Sequence, residues 1–421
     1  MIHVSRHRAL ALLLLLYANS LLAGNGGSGY SRYGIGDIQY FVSGSGAGMG
    51  NVGLAVLSTS SINQFNPAAW TSLAQTRFSV GTLYEGYSTT DAQQSGYFSN
   101  MNFNGIMLSI PISTANGIVF GVGVIPYSTV NYSIKFDTSQ AGLDYTLGYE
   151  GEGGVSEAQV GLSANLGNDI HLGTKMNYYF GTLRHTISQT FTNTSVYTNG
   201  QDLRSVDTKG LGFTFGAVYS GLASLLNFDK SRSLTLGLVA TTTSYLSSSE
   251  EHQLTFSTSN LTTHDTETVR QAKITIPFCF GIGISYSSNR YLLAGDMFYQ
   301  TWSKFDAAGL VSLPGRNSRR LGIGGELLPS KESSSKYGER MAYRMGIYYN
   351  STYYLIKGEP INEIGITAGA GFPVFLDTRL NIGAEYSLRG TTDQQLEKER
   401  IIRISFTLSG GELWFQHPPE E

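Results

Sequence analysis

Five histidines could act once an N-terminal leader is removed: His171, His185, His252, His264 and His417, strewn along the chain with no shared spacing. A zinc peptidase would need H-E-x-x-H on one helix face, and an α/β-type hydrolase would show a G-x-S-x-G elbow. Neither occurs. Cys279 is the only cysteine, so there is no intramolecular disulfide and no thiolate metal cluster. Gly48-Met49-Gly50-Asn51-Val52-Gly53 spells the dinucleotide fingerprint. That fingerprint works only between a strand and a helix, where backbone N–H groups meet the pyrophosphate, and no suitable strand pattern precedes it. A backbone that must pack closely against a neighbour explains the small residues without a cofactor. Arg379, Glu385, Arg389 and Arg403 could form a charged translocation path, or could be inward charges that pair across neighbouring strands and keep a lumen polar. These residues point away from an enzyme, a metal site and a cofactor.

The elements that carry those charges alternate. In Arg379 to Arg389, Leu380, Ile382, Ala384, Tyr386 and Leu388 share one face and Arg379, Asn381, Glu385, Ser387 and Arg389 the other. The split recurs in Ile401 to Leu408 and in Gln159 to Leu166, while glycine fills one face around Gly281, Gly283, Gly365, Gly369 and Gly371. Such segments fall at 76–87, 101–113, 117–136, 155–166, 169–192, 203–222, 232–258, 264–287, 290–305, 315–329, 338–351, 360–373, 377–391 and 398–411, which makes fourteen. Connections 114–116, 167–168 and 288–289 are short, whereas 88–100, 137–154 and 193–202 are longer and polar. An even count with short turns on one side and long loops on the other is the pattern of a transmembrane antiparallel β-barrel. The 232–287 hairpin is longer than a bilayer requires and should project outside.

Arg6, His7 and Arg8 precede an apolar run from Ala9 to Leu16, with small residues at Ser20 and Ala23, so residues 1–23 read as a secretory signal peptide cleaved after one of the two. The run is shorter than the ~20 residues of a membrane helix. Elsewhere 51 glycines, 26 tyrosines and 21 phenylalanines accompany only 14% charged residues, a poor match to a helix-rich soluble enzyme. A net charge of −3 without a basic run argues against nucleic acid.

Between leader and strands, Gly44 to Trp70 is too rich in Gly and Ala for a good strand and closes on Asn66-Pro67-Ala68, where Asn66 can cap and Pro67 can open a short helix. The reading that follows is a hatch at 24–75, a barrel at 76–415 and a tail at 416–421, with Asn25 to Tyr40 on the periplasmic side of the hatch. Tyr178, Tyr179, Phe180, Trp302, Tyr348, Tyr349, Trp414 and Phe415 read as interfacial girdles, and Trp414 with Phe415 as the aromatic ending that the barrel-assembly machinery recognises. Pro126 falls inside the third strand segment, where it removes a ladder donor and favours a kink or bulge. Alternatively the strand ends near Val124 and Pro126 begins an external loop.

With the Gly/Ala-rich hatch, Asn66-Pro67-Ala68, about fourteen strands, Ser31-Arg32-Tyr33-Gly34-Ile35-Gly36-Asp37 and Pro126-Tyr127-Ser128, the chain resembles the FadL-type outer-membrane transporters of hydrophobic compounds, in a branch found in Bacteroidetes-type bacteria. The resemblance implies a 14-stranded barrel in the bacterial outer membrane, plugged by the hatch. Hydrophobic small molecules, long-chain fatty acid-like, would adsorb to an external apolar groove, enter a pocket between hatch and wall, and leave passively into outer-membrane lipid through a break at a kink in the third strand. Gly121, Gly123, Pro126 and Tyr127 are the expected lateral gate. Some relatives resemble secretion-system components, so the alternative is a shuttle barrel that holds exported proteins at the cell surface. At the external rim, an apolar pocket continuous with the lumen favours small cargo, and a broad exposed patch on 232–287 favours a protein.

Overall fold

The structure is a computed structural model, and it describes residues 26–41, 43–91, 95–140, 143–192, 197–229, 231–257, 261–309, 311, 315–330, 332, 334–375 and 377–412. A two-residue strand of the N-terminal segment, β1 (Asp37–Ile38), precedes the wall strands. These are β2 (Thr76–Thr90), β3 (Ser95–Ser113), β4 (Ile118–Gln140), β5 (Leu143–Asn165), β6 (Ile170–Phe191), β7 (Asn199–Tyr219), β8 (Ser233–Thr241) and β9 (Ser244–Ser257). They continue as β10 (Thr262–Ile276), β11 (Cys279–Ser287), β12 (Tyr291–Gln300), β13 (Ser318–Leu327), β14 (Ala342–Ile356), β15 (Glu359–Phe375), β16 (Thr378–Gly390) and β17 (Lys398–Glu412). Each pairs antiparallel with its neighbours, and β17 pairs with β2, so the sheet closes. β8 with β9, and β10 with β11, are the two halves of staves that bend at 242–243 and at Pro277-Phe278, so the barrel has fourteen staves.

Closure leaves few backbone groups without a partner, which is what lets a sheet cross hydrocarbon. Side chains alternate accordingly. Phe213, Phe215, Ile323, Met345, Ile347 and Ile366 stand outward and exposed, while Thr214, Arg344, Tyr348 and Thr367 between them are buried inside. This apolar exterior is that of an outer-membrane barrel. Tyr178, Phe180 and Tyr349 belong to it, but Tyr179, Trp302 and Tyr348 do not: they are buried inward, Tyr179 and Tyr348 by the two-residue alternation that sends a neighbour of an outward residue into the lumen. Trp414 and Phe415 lie outside the described residues.

Several stretches expected as loops are strand. β4 and β5 run on through most of 137–154 and β7 begins at 199, and because β5 also pairs with β6 and β7 with β9, these strands project above the membrane as one sheet. Their outward positions, Lys135, Asp137, Thr146 and Glu150 among them, are polar, so the apolar-outward alternation that marks the lower staves is lost there.

Residues 26–75 fill the interior with little regular structure, and wall side chains satisfy many of their backbone groups. Asp296 Oδ2 accepts from Gly53 N and Leu54 N at 2.6 and 2.9 Å, Thr367 Oγ1 accepts from Gly50 N at 2.7 Å, and Thr235 and Ser285 donate to Ala55 O at 2.6 and 3.0 Å. Inward glycines let the two backbones meet. A Cβ on Gly369 would lie 2.9 Å from Gly48 Cα, and one on Gly173 would lie 2.8 Å from Pro67 O. The glycines of 48–53 therefore serve close packing against the wall.

Candidate functional site

Asn66 is fully buried: Oδ1 accepts from Ala68 N at 3.1 Å, and Nδ2 donates to Leu54 O at 2.8 Å. Pro67 then starts a 3-10 turn, Pro67–Ser72, at the position where a missing N–H costs nothing. Trp70 at its centre is fully buried, donates from Nε1 to Asn63 O at 2.7 Å, and rests on Gly121, where a Cβ would come within 2.6 Å of the indole. Asn66, Pro67 and Ala68 thus fix the hatch against β6 and β7, and Gly121 is the seat of Trp70.

The wall is not paired along its whole height. β3 and β4 leave their turn together and pair up to Ile106 with Val124; among the described residues no ladder joins 95–105 of β3 to β4 beyond it. β4 does not end there. It stays paired to β5 as far as Gln140, with a bulge between Pro126 and Ser128. Because ladder groups alternate sides every residue, Pro126 occupies the next β3-facing position after Val124, and it has no N–H to offer. Gly121 and Gly123 lie lower, opposite Ser109 and Met107 in the paired part of β3 and β4, while Pro126 and Tyr127 stand at the edge of the opening.

The N-terminal segment covers the opening from inside. Tyr127 O accepts from Gln39 N at 3.0 Å, Asp37 and Ile38 pair with Thr129 and Ser128, Ser128 Oγ donates to Ile35 O at 2.7 Å, and Ser31 Oγ bonds both Asn131 N and Asn131 O, at 3.0 and 2.9 Å. Gly26 lies against Phe98 of β3, so the segment bridges both lips. Residues 25–40 were expected at the periplasmic side; the described ones, 26–40, lie instead in the outer half, where the free edge of β4 offers them backbone partners. Asp37 fastens the segment to the opposite wall: Arg389 holds it bidentately at 3.1 and 3.1 Å, and Tyr354 Oη donates to it at 2.6 Å.

Directly above, the inward faces of β4 and β5 form an open groove of about 370 Å³ lined by Ile134, Phe136, Thr138, Tyr145, Leu147 and Tyr149, with Arg32 of the N-terminal segment beside them. Apolar walls with one cation suit an amphiphile with an anionic head. The space between hatch and wall is of another kind. It is lined by Asp37, Glu363, Glu385, Arg320, Arg389 and Arg403 among others, so the pocket that cargo was expected to enter is a polar one.

Glu385, Arg389 and Arg403 pair across strands, as inward charges were expected to. Cross-strand rows run Arg320–Asn350–Glu363–Arg389–Glu399 and Glu385–Arg403–Glu85 through β13 to β17 and β2. Glu363, Glu399 and Glu85 were not singled out from the sequence, and Asp37 entered only as the end of the Ser31–Asp37 motif. Each sits at an inward position, but the partner is known only once strand register is. The histidines take structural partners: His171 bridges Thr71 and Ser220, His185 meets Tyr132, His252 meets Asp202 and His264 meets Thr255. His417 lies outside the described residues.

The BamG family model matches residues 4–418 of the chain. No curated protein sequence matches it. Among solved structures the barrel is similar to the CymD monoaromatic hydrocarbon channel, with a TM-score of 0.57 and 13% identity over 89% of this chain and 99% of that one. It is similar also to the toluene transporter TodX of P. putida, with a TM-score of 0.58 and 15% identity over 89% and 99% of the two chains. A Pseudomonas aeruginosa FadL homologue gives a TM-score of 0.55 and 14% identity over 89% and 98%. At these identities the likeness is one of fold.

Proposed function

The chain belongs to the BamG family, and from its FadL-type barrel we propose a passive outer-membrane channel for hydrophobic small molecules, long-chain fatty acid-like amphiphiles among them, that releases cargo sideways between β3 and β4. The observation that carries this reading is the unpaired stretch of wall above Ile106 and Val124, backed by a segment held by hydrogen bonds, the Asp37–Arg389 ion pair and the packing of Tyr30 and Ile35. Cargo lands in the groove of Phe136 and Leu147, with Arg32 holding an anionic head, and slides down the β4–β5 ribbon to the opening. The charged interior turns apolar cargo away from the lumen and toward the gap. Outer-membrane lipid receives it, and no energy source or cofactor takes part. The barrel-assembly machinery inserts the protein, and residues 1–23 are its export signal.

A small cargo also fits the rim better than a protein partner does. Among the described residues of β9, β10 and the turn between them the exposed large apolar side chains are Tyr245, Phe256 and Leu261, too few for a broad docking patch. The test uses a disulfide that ties the covering segment to the β4 lip, Ser31→Cys with Asn131→Cys, in a chain whose only native cysteine is Cys279. Oxidation should stop transfer of a labelled fatty acid and reduction should restore it, while Arg32→Glu should weaken fatty acid more than toluene. Full transfer through the oxidised barrel would refute lateral exit.

A further inference from the structure

The connection between β7 and β8 breaks the pattern of the short turns at the periplasmic end of the barrel. Residues 114–116, 167–169 and 288–290 are small or polar, but this connection holds a helical turn, α1 (Leu222–Leu225), followed by Leu226, Asn227 and Phe228. Leu225 is 71% exposed and Leu226 54%, beyond the last residue of β7. They are not held loosely. Asn227 adopts φ 55°, the left-handed conformation that asparagine tolerates, and the helix end closes with Asn227 N donating to Ser224 O at 3.1 Å and Phe228 N to Ala223 O at 2.8 Å. A capped turn therefore displays the two leucines.

Its neighbours fix where that turn lies. Tyr219 stands opposite Ile170 and Leu236, and Tyr286 opposite Leu234 and Leu293. Residues directly opposite share a face. Ile170 and Leu293 are exposed on the outer one, so both tyrosines belong to the lipid side at its periplasmic border, where aromatic side chains gather. The turn folds over them: Phe228 meets Tyr286 edge to face with ring centroids 6.5 Å apart, and a Cβ on Gly221 would come within 2.6 Å of Tyr219 Oη. The helix thus lies outside the wall and not beneath the lumen, and its leucines continue the exposed apolar band of Leu238, Ile284 and Leu293. Exposed Arg232 and Arg290 belong to the adjoining turns, side by side because Ser233 pairs with Ser287. Long cationic side chains reach from an apolar surface to phosphate.

We propose that α1 is an interfacial anchor sunk in the periplasmic leaflet of the outer membrane, with Leu225, Leu226 and Phe228 among phospholipid acyl chains and Arg232 and Arg290 at the phosphate layer. Continuity with the lipid-facing wall selects lipid over a periplasmic protein as the occupant. The anchor sets how deep this side of the barrel sits.

Electron paramagnetic resonance of the full-length barrel in nanodiscs of phosphatidylethanolamine and phosphatidylglycerol tests this. A nitroxide on Leu225→Cys or, separately, on Leu226→Cys, in a Cys279→Ala background, reports collisions with dissolved oxygen and with a water-soluble nickel chelate. The oxygen-to-nickel ratio should match that of a label on lipid-facing Leu293→Cys and lie several-fold above that of one on exposed Glu332→Cys in the β13–β14 turn. Adding Leu225→Asp should lower the ratio at Leu226→Cys several-fold, with heat-modifiable gel mobility showing the barrel folded. Ratios at both leucines equal to that at Glu332, or a Leu226 label unmoved by Leu225→Asp, would overturn the proposal. So would labels open to nickel in nanodiscs but shielded from both reagents in native outer-membrane vesicles, since a protein would then be the occupant. None of these results bears on the lateral exit.

Discussion

Replacing Asp37 by asparagine should loosen the 26–39 segment from the wall opening. The carboxylate takes two guanidinium donors of Arg389 at 3.1 Å each and the Tyr354 hydroxyl at 2.6 Å. Asparagine keeps one acceptor, turns an N–H toward Arg389 and gives up the charge. Removing one partner of a buried ion pair costs about 3–5 kcal/mol, but Arg389 keeps Glu399 at 2.6 Å and is not left uncompensated. The loss should therefore approach that of a single charged hydrogen bond, about 2–3 kcal/mol. At 1.4 kcal/mol per factor of ten, the unseated population rises roughly 30- to 150-fold. Hydrogen exchange of peptides spanning 28–39 reads this directly, and barrel peptides in β6 and β7 serve as the internal reference. Faster exchange confined to the segment, with faster transfer of a labelled fatty acid, is the expected result. Exchange within about threefold of wild type would refute the assignment of Asp37 as the latch.

Other predictions address separate parts of the mechanism. Pro126→Val restores a donor on the β3-facing side of β4 and should leave folding intact while reducing cargo transfer; unchanged transfer would remove Pro126 from the gate. Gly173→Ala places a Cβ 2.8 Å from Pro67 O, where backbone has to shift, and should destabilise the barrel by about 1–3 kcal/mol, read as earlier unfolding by heat-modifiable gel mobility. Glu397 packs against Gly29 on the external side, and burial raises its carboxyl above the usual range despite the opposing pull of Arg32. A raised acid binds more protons folded than unfolded, so its contribution is full below the unfolded value of 4.5 and declines as pH rises through the raised one. Protease cleavage of the N-terminal segment should accordingly increase from mildly acidic to neutral pH, and Glu397→Gln should flatten that profile.

The lower staves were legible because membrane on one side and lumen on the other impose strict alternation. Arg379 to Arg389 falls within β16, and Ile401 to Leu408 within β17. The extension 143–154 was not legible, since its outward positions, Thr146, Gly148 and Glu150 among them, face water and break the apolar-outward pattern. Tyr178, Tyr179 and Phe180 show how composition misleads: three adjacent aromatics suggest a girdle, but the middle one must point the other way. Wall glycines such as Gly369 betrayed a close neighbour, although only the fold reveals that the neighbour is Gly48. The charge rows escaped because a one-residue change of register would pair Arg389 with other groups entirely.

The mutual dependence of hatch and wall governs the order in which the protein can be made. Gly50, Gly53, Leu54 and Ala55 find their hydrogen-bond partners on β8, β11, β12 and β15, hundreds of residues later in the chain. Conversely, Asp296, Thr235 and Thr367 would face an empty lumen without them. Residues 26–75 are made before the wall and have nothing to fold against until it forms. They must wait, unstructured, until the last staves arrive, so that closure of the β17–β2 seam and docking of the hatch form one cooperative event, and a barrel sealed before its N-terminus entered would be a dead end rather than an intermediate.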